Sequence, residues 1–161
     1  MIVLGIDPGP THCGIVHYDT VEGRTHGARK DLLVADAVER IRISARHLGL
    51  VAIERVQSYG IAGGSLLRTS EVVGRLWQVA EEQGIPTRLL YRREVLRALD
   101  VTGKGNRDSL IRARLIEMHG GTRKAAQGLK KQPGPLYGVS GHAWQALAVA
   151  VAAADAEERA A

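Results

Sequence analysis

The sequence predicts an α/β fold: a mixed five-stranded sheet with helices on both faces, in one domain spanning residues 1–161. Three observations predict it. The chain opens on short apolar runs that turn back on themselves, as antiparallel strands do. Helical and strand periodicity then alternate. With 161 residues, 45% of them hydrophobic, there is enough chain for one real core.

Ile2 to Ile6 reads as a strand buried on both faces, stopped by Pro8-Gly9, and Cys13 to Tyr18 as its antiparallel return. Arg24 to Arg29 supplies a third strand. Asp31 to Leu48 has helical spacing, with Leu32, Leu33, Ala35, Val38, Ile41 and Ala45 as an apolar stripe ended by Gly49. Leu50 to Glu54 is a short apolar strand, and Gly60 to Gly64 a loop. Ser65 to Gln83 is a long helix closed by Gly84, and Ile85 to Tyr91 the fifth strand. Arg92 to Leu99 and Arg107 to His119 read as helices separated by Thr102-Gly103-Lys104-Gly105-Asn106. A loop rich in Gly, Pro and Lys runs from Gly120 to Gly141, where Ser140 or Gly141 caps a last helix reaching Ala154.

Composition narrows the function. The mean hydropathy of −0.09 and the short apolar runs describe a soluble chain with no spanning helix, and the start lacks a basic signal-peptide region. The single cysteine, Cys13, excludes an internal disulfide, suits the reducing cytoplasm, and reads as a small residue packed in a strand. A net charge of +5 favours a polyanionic partner.

Two strands close on carboxylates, Asp7 and Glu54. If they lie parallel and adjacent, both groups emerge at one sheet edge, where α/β folds place their chemistry. Neighbouring carboxylates repel, which raises a pKa or recruits a cation, and a hard ion such as Mg²⁺ takes such oxygens. In the last helix His142 and Gln145 stand three apart on one face, and its Ala-rich flank allows close approach to the sheet.

Four features in order now resemble the RuvC family of Holliday-junction resolvases across nearly the whole chain. They are GIDPGxxxxG at residues 5–14, the strand ending Ile53-Glu54, the Thr-Gly-Lys-Gly-Asn segment before a helix, and HAxxALAxA at residues 142–150. The resemblance implies a ribonuclease-H-like fold and a homodimer that binds four-way DNA junctions and cuts them in opposed strands with Mg²⁺, or Mn²⁺ in its place. It implies that Asp7 and Glu54 are metal-binding catalytic carboxylates. His142 matches a position holding Asp or His, as metal ligand or proton carrier. Gln145 departs from the family, standing where the last Asp is normal.

That departure has consequences. Two Mg²⁺ ions bring four positive charges against two negative ones from Asp7 and Glu54, and Gln145 adds none. The alternatives are a site with a weaker second metal, a carboxylate substituted from elsewhere, and a junction-binding protein that does not cut. Asp155 is too far along the helix to substitute, by roughly 15 Å at 1.5 Å per residue.

Basic residues fit DNA. Arg92, Arg93 and Arg97 follow the fifth strand, Lys104 and Arg107 flank a Gly-rich turn, and Arg123, Lys124, Lys130 and Lys131 populate the loop before His142. The family resemblance implies an aromatic or apolar residue shortly after Glu54 that disturbs stacking at the branch point, which makes Tyr59 a candidate for stacking on a base, with packing against the Gly-rich loop as the alternative. A two-fold symmetric junction needs two sites, which a dimer supplies, and the helix Ser65–Gln83 offers a surface for one. A related nuclease of the YqgF type, which processes ribosomal RNA, shares the opening Asp motif but not the later ones. Actin-type ATP-binding proteins open similarly but need two such domains.

Overall fold

The structure is a computed structural model that describes residues 1–58, 60–61 and 63–160. Its elements in chain order are β1 (Ile2–Pro8), β2 (His12–Asp19), β3 (Arg24–Leu33), α1 (Val34–Ser44), a 3₁₀ turn (Ala45–His47), β4 (Leu50–Arg55), α2 (Gly64–Glu82), β5 (Thr87–Tyr91), α3 (Arg92–Ala98), α4 (Arg107–Met118), α5 (Arg123–Gln127), β6 (Gly128–Leu129), β7 (Gln132–Pro133) and α6 (Ala143–Ala160). The main sheet has the order β3-β2-β1-β4-β5, and β6 and β7 form a separate ribbon. β1 is antiparallel to β2 and parallel to β4, and β4 is parallel to β5. This is the mixed five-stranded sheet the sequence predicts.

Strand alternation divides the core between the two faces. Val3, Val16, Leu50 and Ala52 face a layer made by α6, α3 and α4, while Leu4, Ile6, Ile15, Val51 and Ile53 face α1 and α2. α6 is buried at every residue from Ala143 to Ala154 and packs on β1, β2 and β4. Glycine permits that closeness: a β-carbon on Gly5 would overlap the Ala146 carbonyl and lie 2.8 Å from Ala150 Cβ. Cys13 is 1% exposed, and burial pushes its thiol up to about 11, so it packs as a small core residue. Among the described residues no helix is long and apolar enough to cross a membrane.

Three sequence expectations need correction. Residues 31–33 extend β3 instead of opening a helix, because Leu32 and Leu33 pair with Cys13 and His12 across the sheet. Their apolar spacing suits either element, and the pairing satisfies their backbone groups. The segment Gly120–Gly141 is not a plain loop. Thr122 caps α5 through Ala125 N–H, Leu136 N–H donates to Ala126 at 2.7 Å, and Leu136 and Val139 are buried. The last helix runs to Ala160, its end carrying an Asp155–Arg159 pair.

Candidate active site

β1 and β4 pair in register from Val3↔Leu50 to Ile6↔Ile53, so the next residue of each strand, Asp7 and Glu54, emerges at the same sheet end. Their side chains are 19% and 14% exposed. α6 arrives over Gly14, where a β-carbon would lie 2.8 Å from His142 Cβ. His142 stands in the turn before α6, with its Nδ1 3.1 Å from Asp7 Oδ2. Gln145, in the first turn, is buried beside it. The four sequence-predicted site residues thus converge.

A guanidinium lies among them. Arg92 opens α3 directly after β5, which neighbours β4. Its Nη1 donates to Gln145 Oε1 at 2.7 Å and to Glu54 Oε2 at 3.4 Å. Its Nη2 donates to Asp108 Oδ1. Asp108 sits in the first turn of α4, after Asn106, whose Oδ1 accepts from the backbone N–H of Asp108 and of Ser109.

The electrostatics favour an added cation. Burial raises the Asp7 pKa, against lowering by His142 and Arg92. Glu54 is pushed up to about 7, first by burial, with Arg92 pulling it down and the charges of Asp7 and Asp108 pushing it up. Even with Arg92 present, burial disfavours the charged form of both carboxylates, and a cation placed between them would offset that. Perturbed carboxylates beside a cleft, here lined by Asp108, Ser109, Arg112, His142, Trp144 and Gln145, make this the candidate functional site.

The basic residues divide. Arg92 joins the carboxylates instead of standing free for phosphate. Arg93 and Arg55 stack on the Tyr91 ring at 5.3 and 5.1 Å. Lys104 and Arg107 remain beside α4, where Arg107 Nη1 donates to Gly103 O at 2.8 Å. The segment carrying Arg123, Lys124, Lys130 and Lys131 is anchored away from Asp7. Pro135 O accepts from Thr25 N–H, and Thr25 faces Tyr18 at the opposite sheet end. Tyr59 lies outside the described residues. Among the described residues, ligand atoms gathered at metal spacing occur at Asp19, Glu22 and His26, also at that opposite end.

Asp108 escaped the sequence reading. An acidic residue two positions after an Asn cap reads as a complement to the helix dipole, and nothing local distinguishes that role from a place in the site.

No protein-family profile matches the chain. Two curated relatives do, both named crossover junction endodeoxyribonuclease RuvC. The one from Corynebacterium glutamicum is 29% identical over 122 residues, covering 67% of this chain and 55% of its own length. The one from Corynebacterium efficiens is 28% identical over 122 residues, covering 67% and 54%. The chain thus spans about half the length of the curated relatives it matches. Among solved structures, Thermus thermophilus RuvC in complex with a Holliday junction substrate superposes with a TM-score of 0.67 at 22% identity, over 99% of this chain and 96% of that one. A second Thermus thermophilus RuvC structure gives 0.65 at 23%, over 99% and 97%. The chain therefore resembles the RuvC family in sequence over two-thirds of its length, and it has the ribonuclease-H-like fold of RuvC.

Proposed function

We propose that this chain is a structure-specific DNA endonuclease that resolves four-way junctions by metal-dependent phosphodiester hydrolysis. The observation that carries this reading is the meeting of Asp7, Glu54 and His142 at one end of adjacent parallel strands, in a RuvC-like fold. The donors suit a hard divalent ion, Mg²⁺ or Mn²⁺: they are carboxylate oxygens with raised pKa values, and a side-chain cation already lies among them. Asp7, Glu54 and His142 would hold the ion. When bound, it supplies charge neutralisation at phosphoryl oxygens and a lowered pKa for an attacking water.

The chain's own residues do the rest. A His142 Nδ1–H donating to Asp7 fixes the ring and leaves the Nε2 lone pair to take a proton, while the same Nδ1, once free of that proton, faces the ion that Asp7 would hold. Gln145 orients Arg92 without adding charge. In this reading Arg93, Lys104, Arg107 and Arg112 supply phosphate contacts around the cleft, and Arg123, Lys124, Lys130 and Lys131 would serve a more distant part of a DNA arm. Paired cuts need two sites, hence a homodimer. α2 buries Val72, Val73, Leu76 and Val79 against the sheet and leaves Leu67 and Trp77 at 55% and 42% exposure as apolar material for that interface. Cleavage of a labelled synthetic junction, beside linear duplex and a structured ribosomal RNA fragment, tests the reading. Symmetric paired nicks in the junction alone support it, and tight junction binding without nicks in either metal leaves a binding protein instead.

A further inference from the structure

The family's acidic set ends on an Asp where this chain has Gln145, and this chain places Arg92 against that glutamine. We infer that Arg92 is a built-in cation that takes the place of one metal ion, so that each site holds a single divalent ion. The inference rests on the metal-dependent reading above.

Charge carries the argument. The site gathers three carboxylates, Asp7, Glu54 and Asp108, and one guanidinium. Counted formally, the three carboxylates against one guanidinium leave two negative charges, the charge of one divalent ion. Two ions would leave two positive charges before phosphate arrives.

Geometry agrees with the count. Arg92 touches Glu54, Asp108 and Gln145 together, so both terminal nitrogens of its fork are committed to the site. The guanidinium is planar and always charged, with five donors, and suits phosphate oxygens as well as carboxylates. An Asp at position 145 would add a charge that only a further cation could balance. The neutral amide offers Arg92 an oxygen acceptor without that charge. Gln145 is thus a positioning residue for Arg92, and Asp108 is the carboxylate that holds the other side of the fork. Arg92 thus supplies preorganised positive charge beside Asp7 and Glu54, of the kind that steadies developing charge in phosphoryl transfer.

The test counts ions and needs no turnover. Mn²⁺ bound to the full chain is measured by electron paramagnetic resonance, for wild type and for Asp7→Asn. Subtracting the second from the first removes any ion held at Asp19, Glu22 and His26. The inference requires a difference of one ion per chain in wild type. It requires two in Arg92→Met combined with Gln145→Asp, which restores the acidic residue and removes the guanidinium. A difference of two in wild type overturns the inference while leaving metal dependence standing. A folded double variant still differing by one also overturns it. No difference at all overturns both the inference and the metal-dependent reading. Should the double variant fail to fold, as judged by circular dichroism, the wild-type count decides.

Discussion

Arg92 Nη1 and Gln145 Oε1 are 2.7 Å apart, a hydrogen bond that ties the start of α3 to the first turn of α6 directly over the carboxylates. Gln145 is 8% exposed, so its amide exchanges little with solvent. A charge-assisted bond at such a position contributes about 1.5–3 kcal/mol. Gln145→Leu preserves the approximate size and removes the acceptor. It should lower stability by about 1–2 kcal/mol, because Arg92 keeps Glu54 and Asp108 as partners. A urea midpoint identical to wild type would show that the bond contributes nothing.

The close contact between α6 and the sheet depends on Gly5. A β-carbon there meets the Ala146 carbonyl and Ala150 Cβ, neither of which is the end of a flexible side chain. Gly5→Ala should cost about 2–3 kcal/mol by overpacking, read as a lower urea midpoint. Unchanged stability would mean that α6 sits further from β1.

Glu54 makes stability depend on pH in a defined direction. Its folded pKa of about 7 lies above the ordinary 4.5, so between those values the folded chain binds more protons than the unfolded one. Without metal, this contribution is fully present below about pH 4.5 and lost as the pH rises to 7, by about 3 kcal/mol in all. Asp7 is raised as well and acts in the same direction. His17 acts oppositely: burial, then nearby positive charge, lowers it to about 4, so its contribution grows between pH 4 and 6.5. The difference in unfolding free energy between Glu54→Gln and wild type isolates the Glu54 part. That difference should move in favour of the variant from pH 4.5 to 7, and a pH-independent difference would refute the assignment.

His142 touches Asp7 yet its side chain is 75% exposed, so it has little structural role. His142→Ala should leave the melting temperature and junction affinity near wild type and reduce the cleavage rate by about 10²- to 10⁴-fold, the usual scale for a positioned acid or base. Single-turnover kinetics on saturating enzyme measures this. A rate within twofold of wild type would remove His142 from the chemistry.

The sheet and the pairing of Asp7 with Glu54 were legible because each strand is an apolar run ended by a carboxylate, and the run length sets where the carboxylate emerges. Gln145 was legible through helical spacing, whereas His142, expected in the same helix, stands in the turn before it, its carbonyl accepting from Gln145 and Ala146 N–H. The boundary at residues 31–33 was not, because Leu32 and Leu33 suit either period and only pairing with β2 decides. Arg92 and Asp108 are separated by 16 residues, and each carries an ordinary local explanation, one as a phosphate-facing cation and the other as a helix-dipole partner. Their meeting at Glu54 depends on how α3 and α4 pack against α6, which no local pattern encodes. The basic segment at 123–131 reads as near His142 in sequence, but Thr25 and Pro135 tie its return to the far end of the sheet.

We propose that Asp7 anchors a metal-dependent cut in branched DNA. The most direct measurement is cleavage of a labelled four-way junction by wild type and Asp7→Asn, with Mg²⁺ or Mn²⁺ and with chelator, beside linear duplex. Paired nicks are expected at symmetric positions in the junction only, abolished by chelator and by Asp7→Asn, while the variant still binds the junction. Nicks that persist in Asp7→Asn or in chelator would contradict the proposal, as would equal cutting of linear duplex.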